Sequence, residues 1–287
     1  MFYSLKSPER RKGWRNNIRP LPRNFVEIND PTNMGIDVIM SHTAYEQRYA
    51  TKSLREIDKR LRSAMWIEME HCLPLPFWKE HHMIEAKGGD ESDKKVFTTA
   101  YQAREWMYRA DECQIVGHTC SPTLFPRSYE ANNDSYVLTV ADDFKERGCL
   151  LGYAEWEQIL GSTWSKNVKL IGNNDKMSSP ASQKKLLVYY QNCACYFNTT
   201  KYSTFPTVVI EAMAVGAPVV CLDNEPMKEW MKYFVGGHDV FKIRSAISNC
   251  IENDEYRTML SEKSHECFDK CFSFESFRDN WKKVLGE

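Results

Sequence analysis

From residue 136 onward the sequence alternates short apolar, β-branched runs with stretches of helical periodicity, and few folds accommodate that alternation. Tyr136–Val140 is followed by a helical stretch near 150–160, and Val168–Gly172 by one near 181–191. Cys195–Asn198 leads to a helix over 207–215, and Ala217–Leu222 to one near 225–234. A short strand at Asp239–Phe241 and helices to about 271 complete the series. The runs are apolar throughout rather than alternately polar, so both faces of each strand are covered. Repeated β-α units with such strands build a parallel sheet between helical layers, which predicts a Rossmann-like domain over 134–272.

The first half repeats the pattern less regularly. Ile36–Met40 and Ala64–Met69 read as strands separated by a charged helix near 45–62, and Glu112–Val116 as a third strand preceded by a helix near 97–108. Lys87–Lys95 is polar and contains Gly-Gly, which reads as a loop, and the Pro- and Asn-containing stretch from Ser121 to Asp134 reads as an interdomain linker. The organisation expected is α/β, with two Rossmann-like domains facing a cleft: a reduced one over 1–130 and a larger one over 134–272. In the last segment, 273–287, Phe274, Phe277, Trp281 and Leu285 recur at three- and four-residue steps. That spacing gives one apolar stripe on a helix, expected to return to the N-terminal domain.

Composition excludes several classes. Eight Trp, fourteen Tyr and fourteen Phe among 287 residues demand a core and rule out a disordered chain. A formal net charge of -1 excludes a general polycation, but residues 1–23 hold seven Lys and Arg against Glu9 alone. No apolar run is long enough to span a bilayer, and no apolar stretch follows the basic start, so a cytoplasmic protein without integral membrane contact is expected. The ten Cys lie in strand-like apolar runs and read as reduced core residues. No C-x-x-C occurs and the adjacent His81 and His82 lack Cys partners at zinc-finger spacing, so no metal site is expected.

The stretch Thr199-Thr-Lys-Tyr-Ser-Thr-Phe-Pro-Thr-Val-Val-Ile-Glu-Ala-Met-Ala-Val-Gly-Ala-Pro-Val-Val220 carries the most chemistry. A loop that ends at a helix N-terminus offers unpaired N–H groups and the positive end of the helix dipole to a diphosphate. With Glu211-Ala-Met-Ala214, Gly216, Pro218 and Val219-Val220 in register, the stretch resembles the donor signature of GT-B glycosyltransferases, in particular retaining enzymes of glycosyltransferase family 4. The resemblance implies a nucleoside-diphosphate sugar, with a UDP-sugar expected, as co-substrate and no other cofactor. It places Glu211 on the nucleotide ribose, and the loop from Ser203 and Thr204 through the N–H groups of Phe205, Thr207 and Val208 on the sugar and phosphates. Many members carry a second glutamate eight positions before the first; here that position is Ser203, which leaves the identity of the sugar open.

Tyr136–Gly148 resembles the first strand and following loop of the same domain, where basic residues grip the pyrophosphate, so Lys145 and Arg147 are candidates to neutralise the leaving diphosphate. The usual Gly-Arg of the family reads Ala141-Asp142 here. Gly172 and Asn173 match the turn that borders the nucleotide base. In the first half, Trp66–Glu70 delivers His71 to the end of a strand, where the family often aims a His at the transferred sugar; His42 is the alternative. No Asp-x-Asp occurs, so phosphate charge falls to Lys, Arg and the helix N-terminus. The resemblance implies retention of the anomeric configuration, and since no carboxylate stands out as a nucleophile, a front-face displacement is the expected route to it.

The family does not explain the basic, aromatic start. Arg10, Arg11, Lys12 and Arg15 suit phosphates, and Trp14 suits stacking on a base. Some phage enzymes of GT-B type glycosylate modified pyrimidines in DNA, so a hydroxymethylated pyrimidine in DNA is the expected acceptor. A saccharide or lipid acceptor is the alternative, as is a non-catalytic module that binds sugar nucleotides or nucleic acid.

Overall fold

The computed structural model describes residues 2–5, 25–28, 38–43, 64–71, 73–74, 92–130, 136–161, 167–174 and 177–287. The helix expected near 45–62 and the basic positions Arg10, Arg11, Lys12, Trp14 and Arg15 lie outside them. Strands β1 (Phe2–Leu5) and β2 (Phe25–Ile28) form a parallel pair. Strands β3 (Val38–Thr43), β4 (Met65–Glu70), β5 (Lys94–Phe97) and β6 (Gln114–Ile115) form a parallel sheet in that order.

Strand β5 occupies part of what the sequence suggests is a polar loop. Its Lys95 is buried, and its charge is met by Glu68 of β4 at 3.1 Å. A buried charge needs a partner of this kind, and the neighbouring strand supplies it. Just before β5, Asp93 accepts a hydrogen bond from the Trp66 N–H at 2.7 Å and fixes the register of the two strands. Helix α1 (Ala100–Glu105) starts later than 97 because Thr99 caps it, its side chain accepting from the Gln102 N–H.

The second sheet contains β7 (Tyr136–Val140), β8 (Val168–Ile171), β9 (Cys193–Asn198), β10 (Val219–Leu222) and β11 (Val235–Gly237). All are parallel, in the order β11-β10-β9-β7-β8. All six residues of β9 are buried. Val137 and Leu138 of β7 enter two different cores, as alternation along a strand covered on both faces requires. Helices α2 (Gly148–Leu151) and α3 (Tyr153–Leu160) follow β7, α4 (Gln183–Asn192) follows β8, and α5 (Thr207–Val215) follows β9. Beyond β10 come α6 (Glu225–Lys228), α7 (Val240–Glu252) and α8 (Asp254–Cys267).

The strand expected at 239–241 is a helix start. The Asp239 carboxylate accepts from the Phe241 N–H at 2.8 Å and caps α7, while the edge strand runs earlier, over Val235–Gly237. The expected linker is also no free tether, since Phe125 and Tyr129 pack into the second core and the Tyr129 N–H donates to Val215 O at 3.0 Å.

After a π-helical turn at Phe268–Phe272, α9 (Phe274–Leu285) crosses to the first sheet. There Val284 is buried with Ile67, Met69, Val96 and Val116, and Phe277, Trp281 and Leu285 pack around them. Phe274 falls outside the stripe: as the first residue of the helix it is 51% exposed. Among the described residues no helix is long and apolar enough to cross a membrane.

Candidate functional site

In the second sheet the strand order reverses between β7 and β9. From the first of these strands the chain goes out to β8 on one side, and from the second to β10 on the other. The loops leaving the carboxyl ends of two such strands part company and open a crevice, the usual place for a ligand in an open α/β sheet. Here the two loops are 141–147, which carries Lys145 and Arg147, and 199–206, which carries Ser203, Thr204 and Phe205.

The first loop is locked to its neighbour. Asn174, buried after β8, accepts from the Phe144 N–H at 2.7 Å and donates to Ala141 O at 2.7 Å and to Ser178 Oγ at 2.8 Å. Asp142 accepts from the Asn173 N–H at 2.7 Å. Gly172, at φ 137°, makes the close approach possible, because a β-carbon there would meet Ala141 O at 1.9 Å. Lys145 and Arg147 are exposed on this braced loop, and among the described residues neither forms an ion pair. Asn173 is exposed beside them.

The second loop is tied to the turn that follows the first. Leu150 O accepts from the Lys201 N–H at 2.8 Å and the Tyr202 N–H at 3.0 Å, and the Thr199 hydroxyl donates to Leu151 O at 2.8 Å. Gly152, at φ 76°, permits the contact; a β-carbon would lie 2.2 Å from Thr199 O. Lys201 pairs with Glu155 of α3. The loop thus runs beside the Arg147 segment before it enters α5.

No side chain caps α5, whose first position follows Pro206, so the dipole end and first-turn N–H groups are left to other partners. Phe205 anchors the approach from below, its ring 4.4 Å from that of Trp230 and 4.9 Å from that of Phe272. Thr204 is buried, Ser203 and Val208 are half-buried, and Thr207 is exposed. Glu211 is half-buried on the fifth position of the helix, and its Oε2 accepts from the Tyr190 hydroxyl at 3.2 Å. Burial, and then the Glu211 charge, push the Cys120 thiol up to about 12. Gly216 ends α5 at φ 100°, where a β-carbon would strike the His265 ring at 2.2 Å.

The first half of the chain reaches the same place. The Tyr202 hydroxyl donates to Pro74 O, three residues after His71, and the Tyr101 N–H donates to Glu229 at 3.0 Å. His71 is half-buried just past β4, stacked on His118 with ring centroids 5.7 Å apart. The structure therefore brings Lys145, Arg147, Gly172, Asn173 and the 203–211 segment onto one edge of the second sheet, with His71 tied to that edge through Pro74. His118, Asn174, Tyr190 and Tyr202 were not legible as site residues, although Asn174 adjoins the Gly-Asn turn that was. Among the described residues no cluster of three or more His, Cys, Asp or Glu could hold a metal ion.

The second half of the chain and the overall fold are similar to those of known proteins. Residues 128–266 match the family model described as glycosyl transferases group 1. The matched region, just under half of the chain, is similar to a glycosyltransferase group 1 domain and spans the second sheet and both loops of the crevice. An uncharacterized glycosyltransferase of Haemophilus influenzae is 22% identical over 216 residues, which cover 67% of this chain and 61% of that relative. The chain therefore spans less than two thirds of that relative's length. The sucrose-phosphate synthase of Thermosynechococcus elongatus superposes with a TM-score of 0.67 at 15% identity, over 89% of this chain and 74% of the other. Anabaena Alr3699/HepE in complex with UDP-glucose does so at 0.65 and 11% identity, over 88% and 79%. The fold is accordingly α/β of the GT-B type, with two parallel sheets.

Proposed function

We propose that the chain transfers a sugar from a nucleoside-diphosphate sugar, with a UDP-sugar as the simplest donor, to an acceptor hydroxyl with retention of configuration. The placement of the 141–147 and 199–206 loops on either side of the strand-order reversal, within the region similar to group 1 domains, carries this reading. The diphosphate sits against the N-terminus of α5 and the N–H groups of Phe205, Thr207 and Val208, with Thr204 in the loop wall. Glu211 accepts from the ribose hydroxyls, and Gly172 and Asn173 border the base. Lys145 and Arg147 neutralise the departing diphosphate, so the reading requires no metal ion. His71 and the Ser203 hydroxyl bond the sugar. The acceptor hydroxyl attacks the face the diphosphate leaves, and a phosphate oxygen takes its proton.

The name of one similar protein, a sucrose-phosphate synthase, favours a saccharide hydroxyl as acceptor, and another that holds UDP-glucose favours a UDP-sugar as donor. The basic start of the chain favours a second reading, in which the acceptor is a hydroxymethylated pyrimidine in DNA that must leave the base stack to reach the crevice. One experiment separates them: nucleotide sugars offered with mono- and oligosaccharides, or with duplex DNA containing hydroxymethylated pyrimidines, the products read by mass spectrometry and the anomeric centre by NMR. A glycosylated saccharide supports the first acceptor and glycosylated DNA the second. An inverted product contradicts the mechanism, and donor binding without turnover identifies a binding module instead.

A further inference from the structure

We infer that Cys267 and Cys271, one turn apart where the chain crosses from α8 into α9, form a thiol modification site for small disulfides, and that occupation of the site loosens the 199–206 loop. Both cysteines are free; Cys267 is buried and Cys271 half-buried. Cys267 sits in one core with Phe205 and Phe272, and Cys271 and Trp230 pack around it. Residues four apart on a helix are neighbours, and here the Cys267 S–H and the Trp230 indole N–H both donate to the Cys271 sulfur. The Lys232 and Lys270 ammonium groups act on the same sulfur, Lys270 being paired with Glu266 at 2.6 Å. Such a setting stabilises the thiolate, which is the reactive form of a cysteine. The Cys267 hydrogen bond, with Trp230 and the two lysines behind it, outweighs burial and holds the Cys271 thiol down at about 6. The bond to Cys271, and then burial, push Cys267 up, so it stays an S–H donor.

The site adjoins the rings that brace the 199–206 loop. Phe272, the residue after Cys271, stacks on Phe205 at 4.9 Å, and the Trp230 ring lies 4.4 Å from Phe205 and 5.3 Å from Phe272. The Thr119 hydroxyl donates to Phe272 O at 2.7 Å and ties the turn to the first half of the chain. Trp230 thus serves two partners at once, its N–H the Cys271 sulfur and its ring Phe205. In the exchange the Cys271 thiolate attacks one sulfur of the disulfide, a new S–S bond forms as the old one breaks, and the other half leaves as a thiolate. The cysteine is oxidised and the reagent reduced, so the electrons balance. The product replaces the charged acceptor of the Trp230 N–H with a neutral sulfur and adds a group beside the indole. In a close-packed region that volume displaces Trp230, and Phe205 loses part of its support.

The test treats the folded protein with hydroxyethyl disulfide at about pH 6 and maps the modified cysteines by mass spectrometry. About half of a thiol titrating near 6 is ionised there, against about 0.3% of a free thiol at about 8.5. The lower intrinsic nucleophilicity of the more acidic thiol trims that advantage to roughly tenfold. Cys271 should therefore be modified ahead of Cys149, the exposed cysteine; Cys149 reacting first, or Cys271 not at all, would overturn the site. Cys267→Ala, and Trp230→Phe, which keeps a ring against Phe205, should each slow Cys271 roughly threefold or more, whereas Cys267→Ser, whose hydroxyl still donates, should stay within about twofold of wild type. An alanine variant as fast as wild type, or a serine variant as slow as the alanine one, would overturn the pairing. In wild-type protein modified at Cys271, amide exchange at Phe205 and Thr207 should rise roughly tenfold or more while amides of the first sheet keep their rates. Unchanged exchange would overturn the link to the loop. Both readouts work without turnover, so they are independent of the reading under Proposed function.

Discussion

Replacing Asn174 by Ala tests whether the 141–147 loop is held for a purpose. Its amide makes three short hydrogen bonds, from the Phe144 N–H and to Ala141 O and Ser178 Oγ, in a residue only 4% exposed. The substitution leaves the buried Phe144 N–H without that acceptor and Ala141 O without that donor. An orphaned buried group costs about 1–3 kcal/mol, so the local loss should be about 2–4 kcal/mol. Amide hydrogen exchange reads this directly. Each 1.4 kcal/mol is tenfold, so protection of the Phe144 amide should fall by roughly 30-fold or more, while amides in the first sheet change little. The same loop carries Lys145 and Arg147, so donor turnover should fall with it. Unchanged protection at Phe144, or full activity in a variant that has lost protection, would refute the reasoning.

Glu211→Ala should weaken binding of the nucleoside-diphosphate sugar by about 1.5–3 kcal/mol, the range for hydrogen bonds to a charged group, as measured by titration calorimetry; an unchanged Kd would remove the ribose role. Gly216→Ala should destabilise the protein by about 2 kcal/mol or more, since a positive φ and a clash with His265 combine, and a melting temperature equal to wild type would contradict this. Burial, and then Arg127, hold His265 down at about 4, from 6.5. A depressed histidine means that the unfolded chain binds the proton first, so stability should fall as pH drops from about 6.5 towards 4, by up to about 2–3 kcal/mol. His265→Gln should flatten that limb of the stability profile. Wild-type turnover should survive EDTA, whereas a complete loss restored by a divalent cation would move the phosphate charge from Lys145 and Arg147 to a metal.

The second sheet was legible because its strands are apolar on both faces and its helices follow at regular spacing, so periodicity alone locates them. Strand β5 was not, because Lys94-Lys95 reads as solvated until Glu68 on another strand is placed beside it. Strand β11 was missed because Val235-Gly-Gly is short and carries little side-chain signal, while Asp239, the true marker of that region, is a helix cap. In the site, the loop and helix around Glu211 were readable from contiguous residues. The stack of His71 on His118 and the contact of Tyr202 with Pro74 were not, since each joins positions far apart in sequence that only tertiary packing brings together. The C-terminal helix falls between these cases: its stripe was visible, but its buried centre is Val284 rather than Phe274.

Release of nucleoside diphosphate from a panel of nucleotide sugars, in wild type and in Glu211→Ala and Arg147→Ala, tests the central claim most directly. The account predicts turnover of at least one donor by wild type, a raised KM in Glu211→Ala, and a kcat lowered by roughly 10²-fold in Arg147→Ala, as for loss of a group that stabilises transition-state charge. No turnover and no binding of any nucleoside-diphosphate sugar, or turnover that neither substitution alters, would contradict it.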